Sequence, residues 1–232
     1  MATKKTNAKK TATKATTKAR GEMKIRDINI PRTPMSTASV RIYGPQLVVH
    51  NWHNKGLLAI SNTEKRAKGV KPLRIPENEY EATKYISTDG THGIPATAIK
   101  NAIATATVLA DDVSKAAIRR SIYVHHHSVS NCKRRVQLVD LEFESEGMRD
   151  DIVRLAGASR TPEMRWRAEY IDWAIDITID YNRHVISTEQ LLHLVVIAGE
   201  SIGLCEGRPE KSALAWGRFN LDLDNGVVRE VA

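Results

Sequence analysis

Arg165, Trp166 and Arg167 are consecutive, and Arg208, Lys211 and Arg218 flank the later part of a stretch with scattered glycines. Cations interleaved with an aromatic ring are the side chains that clamp phosphates and stack unpaired bases, so this set suits a single-stranded polyanion. A second basic group, Arg119-Arg120 with Lys133-Arg134-Arg135, brackets Tyr123 and three consecutive histidines. A third, Lys4-Lys5 with Lys9-Lys10, opens the chain. Against the first set stands a plainer reading, a solvated sheet face whose arginines pair with Asp176, Asp180 and Asp222.

His125-His126-His127 invites a metal. Adjacent residues of an extended segment point to opposite faces, so at most two of the three share one, and Cys132 would have to join them from beyond a turn. No Cys-x-x-Cys or His-x-x-x-His pair supports a closed site, and the run reads as a polar loop or a nucleic-acid contact; no metal is assigned. The chain lacks a Walker loop, a dinucleotide glycine fingerprint and His-Glu-x-x-His. Asp111-Asp112 and Asp150-Asp151 are explained by capping and dipole pairing near helix ends. His125 or His127 as a general acid has no identifiable partner base or nucleophile. No catalytic residue, cofactor or small-molecule substrate is therefore assigned.

These side chains need elements to hold them. Trp173, Ile175, Ile177, Ile179 and Tyr181 alternate with Asp172, Ala174, Asp176, Thr178 and Asp180, a strand with one buried and one wet face. After a turn at Asn182-Arg183-His184, Ser187 and Gln190 form a capping box. The helix that it opens puts Leu191, Leu194, Val195, Ala198 and Ile202 on one face and ends at Gly203. The loop from Gly203 to Trp216 offers backbone N–H groups suited to phosphate contact, and Gly217 to Leu223 begins a second alternating strand. Upstream, Val40–Tyr43 and Leu47–His50 read as two short strands or one bent strand. Leu57–Lys68 reads as a helix before a Pro-punctuated linker at Lys71–Asn78. Tyr80, Ala82, Lys84 and Ile86 alternate as a strand, Thr88-Asp89-Gly90 turns, and Ile94-Pro95 opens a helix through Ile99, Ile103, Ala106 and Ala110. Ser121–Val124 is a further strand, as is Val136–Phe143 with a bulge at Leu138-Val139. The body thus reads twice as strand, helix, then strand or strands. That order predicts a ferredoxin-like (RRM-like) α+β fold, an antiparallel sheet with helices on one face and insertions.

Charge is unevenly placed. The formal net charge of 232 residues is +8, and residues 1–26 hold nine basic side chains against Glu22, leaving the body balanced at 26 basic and 26 acidic. We expect residues 1–26 to be a disordered Lys/Thr-rich tail, either a polyanion-binding arm or a solubilising one, and 27–232 a single domain. A mitochondrial presequence would be Arg-rich and amphipathic, unlike this tail. Two cysteines far apart and no apolar h-region argue against secretion and a disulfide framework, and no apolar run is long enough to span a bilayer, so no membrane partner is expected.

Short islands between Met148 and Phe219 resemble a group of poorly characterised bacteriophage proteins: Met148-Arg149-Asp150-Asp151, Arg165-Trp166-Arg167, Trp173, Ile186-Ser187, Glu189-Gln190, Ala198-Gly199, Arg208-Pro209-Glu210-Lys211 and Gly217-Arg218-Phe219. The helix, Gly-rich loop and Gly-Arg-Phe strand also resemble the terminal loop of the repeat-associated (RAMP, RRM-like) RNA-binding proteins of CRISPR effector complexes. That resemblance implies recognition of a single strand through its backbone, by copies along it. An intact pair of RRM aromatic motifs is absent. Taken together, the expectation is a non-catalytic phage protein that binds single-stranded nucleic acid and self-associates, in the cytoplasm of an infected bacterial host. The alternative is a phage structural or interaction protein, a virion component or an inhibitor of a host system.

Overall fold

The computed structural model describes residues 33–54, 74–110, 113–132, 134–154 and 161–230. The chain divides into Met1–Thr33 and Pro34–Ala232, and all the described helices and strands lie in the second unit. Lys4, Lys5, Lys9, Lys10, the helix expected over Leu57–Lys68, Asp111-Asp112 and Lys133 lie outside the described residues.

Strand β1, Met35–Val49, forms because Ala38, Val40 and Ile42 alternate inward against Thr37, Ser39, Arg41 and Tyr43. Gly44-Pro45 does not divide it. Helix α1, Pro76–Glu81, occupies the beginning of the strand expected from Tyr80 to Ile86. Proline in its first turn fixes φ, and Glu77 and Glu79 complement the positive end of the dipole. The next buried side chains are Thr83, Tyr85 and Ser87, the phase opposite to the one the apolar alternation suggests. Strand β2 (Gly93–Pro95) leads directly into α2 (Ala96–Ala106), with Pro95 at the N-cap. Helix α3 (Lys115–Ser121) is capped by the Ser114 hydroxyl, which accepts from the Ala117 amide, and runs into β3 (Ile122–Val124). Strands β4 (Ser128–Val129) and β5 (Gln137–Asp140) form with β2 a small second sheet, ordered β2-β5-β4.

The remaining elements belong to the main sheet. Strand β6 (Ser145–Arg154) pairs along its whole length with the start of β7 (Pro162–Asn182). Helix α4 (Thr188–Ile197) opens on the expected Ser187–Gln190 capping box, passes into a π turn at Ala198–Ile202, and stops at Gly203. Strand β8 is Asn220–Glu230. The sheet order is β3-β7-β1-β8, each pair antiparallel. Taken as β1-α2-β3-β7-α4-β8, the chain is a βαββαβ unit with strand order fourth, first, third, second, which is the ferredoxin-like arrangement; α1, β2, α3, β4, β5 and β6 are insertions.

Strand β7 is 21 residues long and carries the register of the molecule. Trp173, Ile175, Ile177, Ile179 and Tyr181 point inward as the alternation predicts. Before them the buried apolar positions are Ala168 and Tyr170. The phase changes at Asp172, at φ 47°, while the pairing register with β1 is the same on either side of it. Ile99 and Ile103 of α2, Ile118 of α3, and Leu191, Leu194 and Val195 of α4 fill the same core as Ile42, Ile175, Ile177 and Ile179. Full burial of each such side chain contributes about 1.5–3 kcal/mol. Among the described residues no helix is long and apolar enough to cross a membrane.

Candidate nucleic-acid interface

The Arg165-Trp166-Arg167 run lies on β7 where it pairs with β6, in the order Asp151↔Arg165, Asp150↔Trp166, Arg149↔Arg167. Two arginines face each other across the strands, and carboxylates hold them together. Arg167 is 4% exposed, donating to Asp151 at 2.8 Å and to Glu206 at 3.1 Å. Arg149 donates to Asp151 at 3.0 Å and to Glu169 at 2.8 Å. Both guanidinium groups also lie over the Trp216 ring, at 4.3 Å for Arg149 and 5.7 Å for Arg167. Arg165 is half-buried, 3.5 Å from Glu163, with its guanidinium 5.9 Å from the Trp52 ring. Arg74 covers Trp166 at 4.9 Å. The partners are therefore Asp151, Glu163 and Glu206, not Asp176, Asp180 or Asp222, and Arg167 serves to bind the hairpin to the loop.

That loop is held down along its length. The amides of Leu204, Glu206 and Gly217 donate to the carbonyls of Gly217, Val48 and Gln46, and those of Lys211 and Ser212 to Arg208. A glycine is required at 207, where φ is 63° and a Cβ would lie 2.1 Å from the Trp216 ring. These donors have internal acceptors, so the expected cradle of free amides is not formed by them; the loop contributes side chains instead.

On the helix side the loop borders a cleft of about 430 Å³. Lys115 and Arg119 reach it from α3, Asn101 and Thr105 from α2, Trp52 and Tyr85 from segments beyond β1, and Arg208 and Lys211 from the loop. Arg119, from the second basic group, thus meets Arg208 and Lys211, from the first. Lys115 bonds the Thr105 hydroxyl at 3.0 Å. Two acids share the wall. Glu210 accepts from Arg208 at 3.0 Å and lies 3.4 Å from Lys211; burial works against its charge, but these bonds outweigh burial and hold its carboxyl below the ordinary range. Glu206 accepts from the Trp52 indole at 2.9 Å as well as from Arg167. Four cations thus face two carboxylates. The Trp52 ring is 52% exposed at the mouth, and through Glu206 and Arg165 it joins the cleft to the hairpin. Burial, reinforced by Glu206, pushes the Cys205 thiol up to about 12, so it stays protonated and unreactive at neutral pH.

The other candidates lie elsewhere. Arg218 is exposed just before β8, and Arg134 and Arg135 are exposed at the turn before β5. Arg120 is exposed on α3 but does not line the cleft. Arg208 and Lys211 line the cleft while Arg165, Arg167 and Arg218 do not, and Trp52 and Glu206 link the cleft to Arg165 and Arg167.

The open face of the sheet is acidic. Asp180 accepts from Thr37 at 2.6 Å and lies 2.8 Å from His125 Nε2, while Arg41 donates to Asp176 at 3.0 Å and to Glu142. Asp222 adds a carboxylate held below the ordinary range by a bond from Asn225. An RRM places bases on this face, where aromatic side chains stack them. Here the carboxylates would oppose a phosphate backbone. His127 lies 3.8 Å from Asp140, and among the described residues no three His, Cys, Asp or Glu side chains are grouped to hold a metal. Gly199-Glu200-Ser201-Ile202-Gly203 matches the Gly-x-Ser-x-Gly spacing of a nucleophile elbow. It forms the π turn at the end of α4, not a strand-to-helix turn, so the spacing occurs without the geometry that activates such a serine.

Neither a family profile nor a curated relative matches the sequence. Among solved structures, a chain of the cryo-EM structure of the Type III-B Cmr-beta bound to cognate target RNA is similar at 10% identity, with a TM-score of 0.46. The match covers 86% of this chain and 62% of that one, so this chain spans less than two thirds of its length.

Proposed function

We propose that this protein binds single-stranded nucleic acid without catalysing a reaction on it, and that the strand runs through the cleft between α3 and the Gly203–Trp216 loop. The observation that carries the reading is the half-exposed Trp52 ring at the mouth of a cleft with four cations and two acids. A base stacks on Trp52, and Arg119 and Lys211, on opposite walls, take phosphates; Lys115 and Arg208 reinforce them. Recognition of this kind follows the backbone and tolerates sequence. The likeness of the short islands to phage proteins supports a role in the cytoplasm of an infected host, and the likeness of the Gly-rich loop to the repeat-associated RNA-binding proteins supports copies along the strand.

Fluorescence anisotropy of the full chain with labelled single-stranded DNA and RNA tests this. Trp52→Ala should weaken binding about 5- to 150-fold, the range that loss of one stacked base produces. Arg119→Ala with Lys211→Ala should lower the salt slope by roughly 0.7 for each phosphate no longer neutralised. Variants that remain folded and bind as tightly as the parent, with an unchanged slope, would move the reading to a phage structural or interaction protein.

A further inference from the structure

Strand β6 pairs with β7 on one side, and among the described residues no strand pairs with its other edge. Natural sheets guard such edges with prolines, lysines, bulges or charges that repel a second copy. The ten residues of β6 contain no proline or lysine, and their pairing with β7 runs without a register shift. Apolar side chains stand exposed on one face of this hairpin: Ile152 at 71%, Met148 at 43% and Met164, opposite Ile152, at 38%. A patch continuous with an open strand edge is suited to pairing with another strand.

The remaining guard is charge, and its order identifies the partner. β6 reads Ser145-Glu146-Gly147-Met148-Arg149-Asp150-Asp151-Ile152-Val153-Arg154. Antiparallel pairing of two copies about a two-fold axis at Asp150 sets Met148 opposite Ile152, Arg149 opposite Asp151 and Glu146 opposite Arg154, each pair occurring twice. Moving the axis by one residue either way sets Arg149 opposite Arg149 with Met148 against Asp150, or Asp151 opposite Asp151 with Ile152 against Asp150. Directly opposed unlike charges and apolar pairs stabilise an antiparallel ladder, and like charges oppose it. Arg149, Asp151 and Glu146 already have partners within the chain, so the apolar pairs contribute most. We infer that β6 is a homodimerisation edge, at which two copies of this chain form a closed two-fold sheet through β6.

The axis brings one like-charge contact, Asp150 against its own copy, and this makes the interface distinctive. Sedimentation equilibrium of the full chain without nucleic acid should show a concentration-dependent dimer of the 25.9 kDa protein. Asp150→Asn should tighten it, because the like-charge contact is removed. Ile152→Lys, at an exposed position that folding does not need, should weaken the dimer by at least about tenfold. Asp150→Cys should form an intermolecular disulfide under mild oxidation, whereas Val153→Cys, which faces Gly147 in this register, should not. A protein that stays monomeric throughout, or a dimer unaffected by Ile152→Lys, overturns the inference. Neither result bears on the cleft, because no nucleic acid is present.

Discussion

Arg167 has the residue type expected of a phosphate ligand and the surroundings of a structural one. Its guanidinium, nearly closed off from water, joins Asp151 of β6 to Glu206 of the loop. Removing one member of a buried ionic set leaves the others without a counter-charge, which costs about 3–5 kcal/mol. Arg165 is only partly buried and has one acidic partner among the described residues, Glu163 at 3.5 Å, so its removal does not break a link between two carboxylates and costs less. Urea denaturation should therefore show a larger loss of stability for Arg167→Ala than for Arg165→Ala, and equal losses would show that Arg167 does not tie the hairpin to the loop. The same contrast holds inside the sheet. Ile177→Asp puts an unpaired charge at a position 1% exposed and should cost about 3 kcal/mol or more. Asp176→Asn, on the open face, should cost little; equal melting temperatures would mean that the register of β7 is inverted.

At the scale of elements, the loop and the β6–β7 hairpin stand or fall together. Trp216 packs on the backbone of Gly207 and under Arg149 and Arg167, so Gly207→Ala must displace the ring. Its tryptophan fluorescence should shift toward that of exposed indole, and amide exchange should quicken at Glu206 and Gly217; an unchanged spectrum would refute the clamp. A second tie is acid-sensitive. Glu146 of β6 accepts from Tyr80 at 2.5 Å and lies 2.6 Å from Lys84. Burial raises its pKa, yet these two bonds outweigh burial and hold the carboxyl below its ordinary 4.5. A depressed carboxylate contributes stability that is present above its unfolded value and lost as pH falls through the folded one. The stability gap between the parent and Glu146→Gln should thus be widest at neutral pH and narrow below about pH 4.5. A gap independent of pH would show that the carboxylate charge is not what holds α1 to the hairpin.

For the whole molecule, charge divides into two unequal sources. Residues 1–26 carry the formal excess of +8, while the remainder is balanced. Long-range attraction to any polyanion follows net charge and is screened by salt. Deleting residues 1–24 should weaken single- and double-stranded DNA and RNA alike, whereas Trp52→Ala should weaken single strands selectively. Loss of all binding on deletion, with cleft variants unaffected, would assign the affinity to the tail and leave the cleft without a role in it.

The sequence alone determined whatever depends on near neighbours in the chain. The alternation from Trp173 to Tyr181, the Ser187–Gln190 capping box and the stop at Gly203 are set by pleat, cap and backbone freedom within a few residues, and each has its place in the structure. The order strand, helix, strands, repeated twice, pointed to the fold class, although β1 takes the place of the strand expected at Tyr80–Ile86 and Gln137–Asp140 lies in the small sheet. The features that local pattern did not contain were decided by tertiary contact. β6 has no apolar alternation to announce a strand; it is extended because β7 offers it a ladder ten residues long. Tyr80 to Ile86 alternates yet begins in a helix, since Pro76 and two early acids act on its first turn. The cleft is the clearest case. Arg119 and Arg208–Lys211 could be named from composition, but they share a site only because α3 and the loop pack on the same side of one sheet. Trp52 gives no sign in its neighbourhood of standing at the entrance. Arg167, identical to Arg165 in chemistry, is withdrawn from the surface by carboxylates 16 and 39 residues away, a distance over which no reading of spacing extends.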